Sequence, residues 1–167
     1  AVVLPHGALF RMGAEGDIRR RLIDRDLIEA VIGLGPNLFY GTGLAACVLI
    51  LRDRKPAERA GRILLIDGSR LFRAGRNQNT LEPEHSDELL RLYHEFHDEP
   101  GLSCVAPREA VLGSDGNLNI SLYIQRPSQN EGPTLPEALA DLRQSLDEAY
   151  VAEDLLKDLL RREGLLA

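Results

Sequence analysis

Cysteine is scarce in this sequence. Cys47 and Cys104 lie far apart and Cys47 sits inside an apolar run, so neither a CxxC metal motif nor a disulfide framework can be drawn. The expectation is a reducing, cytoplasmic setting with no metal site. Positive charge is not in excess either: 20 Lys and Arg face 26 Asp and Glu, for a net charge of -6. Affinity for a phosphate backbone comes mainly from basic side chains that displace counterions, so a freely acting nucleic-acid binder is excluded and any DNA contact must be local. No apolar stretch approaches the roughly 20 residues that span a bilayer. The first residues also lack the charged and apolar regions of a signal peptide, so no membrane association is expected. Nowhere do two prolines adjoin.

What the chain does have is enough apolar residue, 44% of 167, to bury a core. One globular domain with an appendage is expected. Ala1 to Pro5 (AVVLP) reads as the end of a buried parallel strand with no polar lead-in, which suggests an excised piece of a longer protein whose flanking strands are missing. A glycine-containing loop (Gly7 to Gly16) leads to Asp17–Asp24, where Ile18, Leu22 and Ile23 mark one helical face. Leu27 to Gly33 is a second strand, and the three elements predict a βαβ unit with a parallel sheet. Leu44 to Leu51 suits the middle of a sheet. Ile63 to Asp67 is a further strand that could pair antiparallel with it, so the sheet is expected to be mixed.

Beyond Gly68 the texture changes to a loop. Thr80 to Phe96, with Pro83 near its start, reads as a helix with Leu89, Leu90, Leu92, Tyr93 and Phe96 on its apolar side. Residues 100–123 read as irregular or weakly extended, and 126–134 as a polar linker. In the last segment Leu139, Leu142, Leu146, Ala149, Leu156 and Leu160 recur at spacings of three and four, interrupted at Glu153. That is a long amphipathic helix, Leu135 to Glu163, whose stripe packs either on its own domain or against another subunit.

The loop Gly35 to Gly43 (GPNLFYGTG) is the sharpest chemical feature. It places two adjacent aromatics, Phe39 and Tyr40, between glycines at the exit of a parallel strand, the edge where open α/β sheets bind ligands. A ring there either plugs the core or offers a nucleobase about 1 to 3 kcal/mol of stacking. Arg70, Arg73 and Arg76 with Asn77, Gln78 and Asn79 form a basic, amide-rich loop. Its side chains suit phosphates and base edges, or the loop is solvated and its amides cap the following helix. His6 stands at a sheet end but is alone, so a loop hydrogen bond is the simpler role and no catalytic one is assigned. Arg19, Arg20 and Arg21 read as a solvated helix face, and Glu82 to Glu88 as a solvated acidic cluster.

Taken in order, AVVLPHGALF, GDIRRRLID, LIEAVIGLGPNLFYGTGLAACVLILRDRK and GRNQN resemble the second half of the methylase domain in modification subunits of type I restriction-modification systems. The resemblance covers about the first 125 residues. It implies an α/β fold, a partial Rossmann-like methyltransferase mixed sheet (residues 1–125), followed by the linker (126–134) and a helical C-terminal extension (135–167). It further implies an intact enzyme that transfers a methyl group from S-adenosylmethionine to the amino group of adenine in DNA. Its partners would be DNA, a specificity subunit and a second modification subunit. By this resemblance Phe39 stacks on the extruded base, Tyr40 is the next candidate, and Arg70, Arg73, Arg76, Asn77, Gln78 and Asn79 are DNA-binding. An enzyme acting on a base must first take it out of the duplex, and an aromatic face compensates part of the lost stacking.

The chain departs from the family pattern in two places. It has no Asn/Asp-Pro-Pro-Phe/Tyr sequence and no early glycine-rich strand-loop for S-adenosylmethionine, so the fragment is expected to carry no catalytic residue, bind no cofactor and be inactive alone. Two other classes remain open. One is a non-catalytic interaction module working through its C-terminal helix; the other is a small-molecule enzyme on a doubly wound sheet.

Overall fold

The computed structural model describes residues 1–125 and 135–162. The chain divides into two units, residues 1–127 and 128–167. The first is built on a five-stranded sheet of order β1-β3-β2-β4-β5, with β1 at Val2–Pro5, β2 at Ile28–Leu34, β3 at Ala46–Leu51, β4 at Arg62–Gly68 and β5 at Ser103–Pro107. β3 runs antiparallel to both β1 and β2, β2 and β4 are parallel, and β5 is antiparallel to β4. The expected mixed sheet is therefore present, with β1, β2 and β4 all pointing the same way.

Pairing corrects two expectations. β1 runs in the same direction as β2 and β4, is paired on one side by β3, and leaves Val2 and Val3 exposed. An apolar run shows that a segment is extended but not where in the sheet it lies. β1 and β2 are parallel, yet β3 lies between them, so the βαβ unit spans an inserted strand. β3 and β4 do not pair with each other, because β2 separates them. β2 is buried along its whole length, which places it at the centre, and the ten residues between β3 and β4 are long enough to step across one strand.

That connection is fixed by charge at the start of β2. A register irregularity between Ile28 and Ala30 accompanies a fully buried Glu29, whose Oε2 accepts from the Tyr93 hydroxyl (2.7 Å) and lies 2.9 Å from Arg52 Nε. Arg59 Nη1 reaches Oε1 at 3.3 Å, and its guanidinium lies over the Tyr93 and Phe96 rings, 5.3 and 4.5 Å from their centroids. One carboxylate thus ties the crossing segment to the helix on the far layer.

Two layers cover the sheet. One holds α1 (Ala14–Asp24) and α3 (Arg108–Gly113), which place Ile23 and Val111 with Leu9, Leu118, Ile120 and Ile124 against Ile28, Val31 and Leu65. The other is α2 (Pro83–Glu95), whose Leu89 and Leu92 pack on Ala30, Ile32, Leu64 and Ile66. Pro83 opens α2, where the missing N–H costs nothing, and Phe96 ends it in the left-handed region at φ 49°. β5 and α3 occupy a stretch expected to be irregular. Five and six residues are too few for a periodicity to register, and tertiary burial of Ser103, Ala106 and Val111 supports them instead.

The inward face of α1 also differs from its apolar pattern. Ile18 is exposed, whereas Arg19, expected in solvent, is 5% exposed. Its guanidinium donates to the carbonyls of Gly116 (2.7 Å), Ala8 (2.9 Å) and Arg11 (3.0 Å), clasping the loop after β1 to the turn after α3. Arg20 does lie toward solvent and pairs with Asp115. Charge-assisted bonds of this kind contribute about 1.5–3 kcal/mol. Arg19→Met is therefore expected to lower the unfolding free energy by about that much, read as a lower urea midpoint, with Arg21→Met as the unaffected control.

Asp26, in the left-handed region at φ 56°, links α1 to the crossing segment: its carboxylate accepts from Lys55 Nζ (2.6 Å) and from the Gly61 amide (2.9 Å). Partial burial pushes this carboxyl upward, but the Lys55 and Gly61 bonds outweigh it and hold it below the ordinary aspartate value. A carboxyl depressed by folding stabilises above its unfolded pKa, about 3.9, and that contribution is lost as pH falls through the lower folded value. Asp26→Asn should thus lower stability at pH 7 yet flatten the loss below about pH 4; parallel pH-stability curves for the two proteins would contradict the assignment.

The second unit is described through α4 (Leu135–Arg162), a 28-residue helix with Glu137 in its first turn and Arg161 and Arg162 in its last, the charge order that a helix dipole favours. None of its residues is buried, and Leu139, Leu142, Leu146 and Leu156 are exposed. The expected linker, 126–134, and Glu163 lie outside the described residues.

Candidate nucleic-acid interface

β2 ends at Leu34 and the chain enters the aromatic loop. Gly35 is pressed against the Phe72 ring so closely that any side chain there would collide with it. Asn37 takes a left-handed backbone (φ 55°), an isolated bridge joins Phe39 to Thr42, and the Thr42 hydroxyl accepts from the Leu44 amide at 3.1 Å. Phe39 is 40% exposed and Tyr40 93%, so neither is a core residue. Phe39 lines two recesses. One, of about 200 Å³, is shared with Val3, Leu4 and Pro5 of β1 and the entry to β3; the other, of about 400 Å³, is shared with Leu34, Leu38, Tyr40 and residues 78–81.

The amide-rich loop lies directly against the aromatic one. Gln78 Nε2 donates to the Leu38 carbonyl (2.8 Å), Asn79 Nδ2 to that of Pro36 (2.8 Å), and the Asn79 backbone amide to that of Asn37 (2.8 Å). Asn37 Nδ2 in turn donates to the Asn77 carbonyl (3.2 Å). The two segments singled out as functional are thus one structure. Arg73 Nε is paired with Glu82 at 2.7 Å, while Arg70 and Arg76 are exposed with no ion pair among the described residues. Glu82 of the acidic cluster also has a structural part: its backbone amide donates to His85 Nδ1 (3.1 Å) at the start of α2.

His6 follows β1 at the same sheet edge. Its Nε2 is buried without a hydrogen-bond partner among the described residues, close over Gly33. Burial pushes the imidazole below its ordinary pKa, opposed by the Asp67 carboxylate. It lines an open polar cleft of about 660 Å³ with Asp67, Ser69, Asn119, Ser121 and Gln125, residues that no sequence motif had marked. Among the described residues, Glu95, His97 and Glu99 bring donor atoms within 4.8 Å of one another, but Arg91 already pairs with both carboxylates.

Residues 1–132 match the N-6 DNA methylase family. This chain belongs to that family. The MjaVIII methylase subunit of a type I restriction enzyme from Methanocaldococcus jannaschii is 37% identical over 99% of the chain and 29% of its own length. The MjaVII methylase subunit of the same organism is 38% identical over 95% and 27%. A type I restriction-modification methyltransferase subunit from Streptococcus thermophilus superposes with a TM-score of 0.69 at 36% identity, over 74% of this chain and 26% of that one. The open mixed sheet with its flanking helices is accordingly part of a Rossmann-like methyltransferase fold, as the family resemblance implied. This member of the N-6 DNA methylase family spans less than a third of the length of these relatives.

Proposed function

We propose that this chain is the base-facing half of a type I DNA modification methylase, whose intact form transfers a methyl group from S-adenosylmethionine to the amino group of adenine in DNA. The observation that carries the reading is Phe39, half-exposed between two recesses at the edge where β1, β2 and β4 end together. In this reading Phe39 stacks on the extruded adenine, Tyr40 lies beside it, and Arg70 and Arg76 meet the phosphates.

The residues of this chain do not fit S-adenosylmethionine. Gly7 is covered by the Arg11 side chain, Gly33 by Ile120 and His6, Gly35 by Phe72 and Gly68 by Leu89, so the glycines at the ends of β1, β2 and β4 leave no open backbone for a ligand, and the open Gly41 and Gly43 belong to the aromatic loop. The cofactor and the catalytic residues would belong to other parts of a longer polypeptide. Calorimetric titration tests this: the chain alone should give no heat with S-adenosylmethionine while the longer polypeptide binds it, and micromolar binding by the chain alone would overturn the reading.

A cytoplasmic enzyme assembled with a specificity subunit and a second modification subunit completes the proposal. No helix among the described residues is long and apolar enough to cross a membrane. The exposed leucines of α4 support both subunit contact and the second reading, in which the chain is an interaction module only. Removing residues 135–167 from the full-length protein should abolish co-purification with the specificity subunit; retained assembly with lost methylation would assign α4 to the methylase domain instead.

A further inference from the structure

Three consecutive carbonyls, those of Pro36, Asn37 and Leu38, each accept one hydrogen bond from Gln78 or Asn79, and the next residue is Phe39. Such a run leaves the backbone that carries Phe39 little freedom. The donor segment is itself held closed: Arg73 and Thr80 exchange backbone hydrogen bonds at 2.8 and 2.9 Å, and the Gly75 amide donates to Asn79 Oδ1 (3.4 Å). A side chain at Gly75 would collide with the Gln78 carbonyl, so the turn closes only around glycine. Phe72 pressed on Gly35 closes the other end of the contact.

We infer that Gln78 and Asn79 are positioning residues that strap the loop and thereby set where Phe39 meets its base, with their amide nitrogens engaged on that loop and not on DNA. The inference rests on the stacking role proposed for Phe39. Hydrogen bonds from a rigid hairpin to the three peptide units before a stacking ring fix its height and tilt, and a misplacement of about 1 Å at a reacting centre costs on the order of a hundredfold in rate. Beyond Phe39 the loop is held by its own Phe39–Thr42 bridge and the Leu44–Thr42 bond, and among the described residues Gln78 and Asn79 make no bond to it there. The strap therefore ends at the residue whose placement it controls.

The test uses the full-length methylase assembled with its specificity subunit and carrying Asn79→Asp or, as the milder change, Gln78→Glu. Each removes a donor without changing side-chain size. Turnover at saturating DNA is expected to fall about ten- to a hundredfold with DNA affinity changed less than about twofold. Amide exchange in a peptide covering residues 36–43 should quicken while exchange in the core strands does not. In a Phe39→Ala background the same substitutions should cost no further turnover, because they act through that ring. Losses that add to Phe39→Ala, or lost DNA affinity with normal turnover, would overturn the inference in favour of direct DNA contact. If Phe39→Ala alone keeps full turnover, it is the stacking reading that fails, and the strap then stands or falls on the exchange rates, unchanged rates at 36–43 removing it.

Discussion

Replacing Glu29 by alanine is expected to lower the unfolding free energy by about 3–5 kcal/mol, the range seen when one partner of a buried ion pair is removed. The magnitude follows from what is left behind. Arg59 is mostly buried and would face the Tyr93 and Phe96 rings with no carboxylate, and the Tyr93 hydroxyl would lose its acceptor. Burial, then the bond to Glu29, already raises the Tyr93 phenol above its ordinary pKa, which agrees with a hydroxyl held as a donor to a carboxylate. Arg52 is 43% exposed, so Arg52→Ala should cost much less than Arg59→Ala. Urea unfolding followed by tyrosine fluorescence provides the measure, and a loss under about 1 kcal/mol for Glu29→Ala would mean that the buried charge is not the hub inferred from its contacts.

Phe39→Ala in the full-length methylase should reduce methyl transfer about 5- to 150-fold, the rate equivalent of 1 to 3 kcal/mol of base stacking. Phe39→Tyr and Phe39→Trp keep a ring face and should retain most of the activity. Tyr40→Ala should have a smaller effect, because the loop holds that side chain in solvent. Transfer of a labelled methyl group reports turnover, and 2-aminopurine at the target position reports extrusion by its fluorescence. Unchanged turnover and unchanged fluorescence response in Phe39→Ala would remove the ring from the base. Stability should barely move, since Phe39 is not a core residue.

The elements with long or uniform patterns were legible in the sequence. β2, β3 and β4 stood out as apolar runs, α2 through its leucines and Pro83, and α4 through its repeat. Their neighbours were not legible, because pairing is decided by contacts between distant segments. β1 read as a strand from its apolar run, but its pairing with β3, more than 40 positions on, did not show. Arg19 and Glu29 are charged residue types in buried positions, intelligible only once their partners, up to 97 residues away, are brought beside them. At the candidate site the aromatic loop was visible from its glycines and its place after a strand. Its strap was not, because the Leu38–Gln78 and Asn37–Asn77 bonds each join residues 40 positions apart. The Gln78 and Asn79 side-chain amides, expected at base edges, donate to backbone carbonyls of the aromatic loop.

β3 has a further consequence. Running against both neighbours, it separates the parallel strands β1 and β2 by two strand spacings, about 10 Å. Phe39 follows the end of β2, and the smaller recess beside it is also lined by Val3, Leu4 and Pro5 of β1. On the stacking role proposed for Phe39, β3 therefore sets how far the β1 wall of that recess stands from the ring.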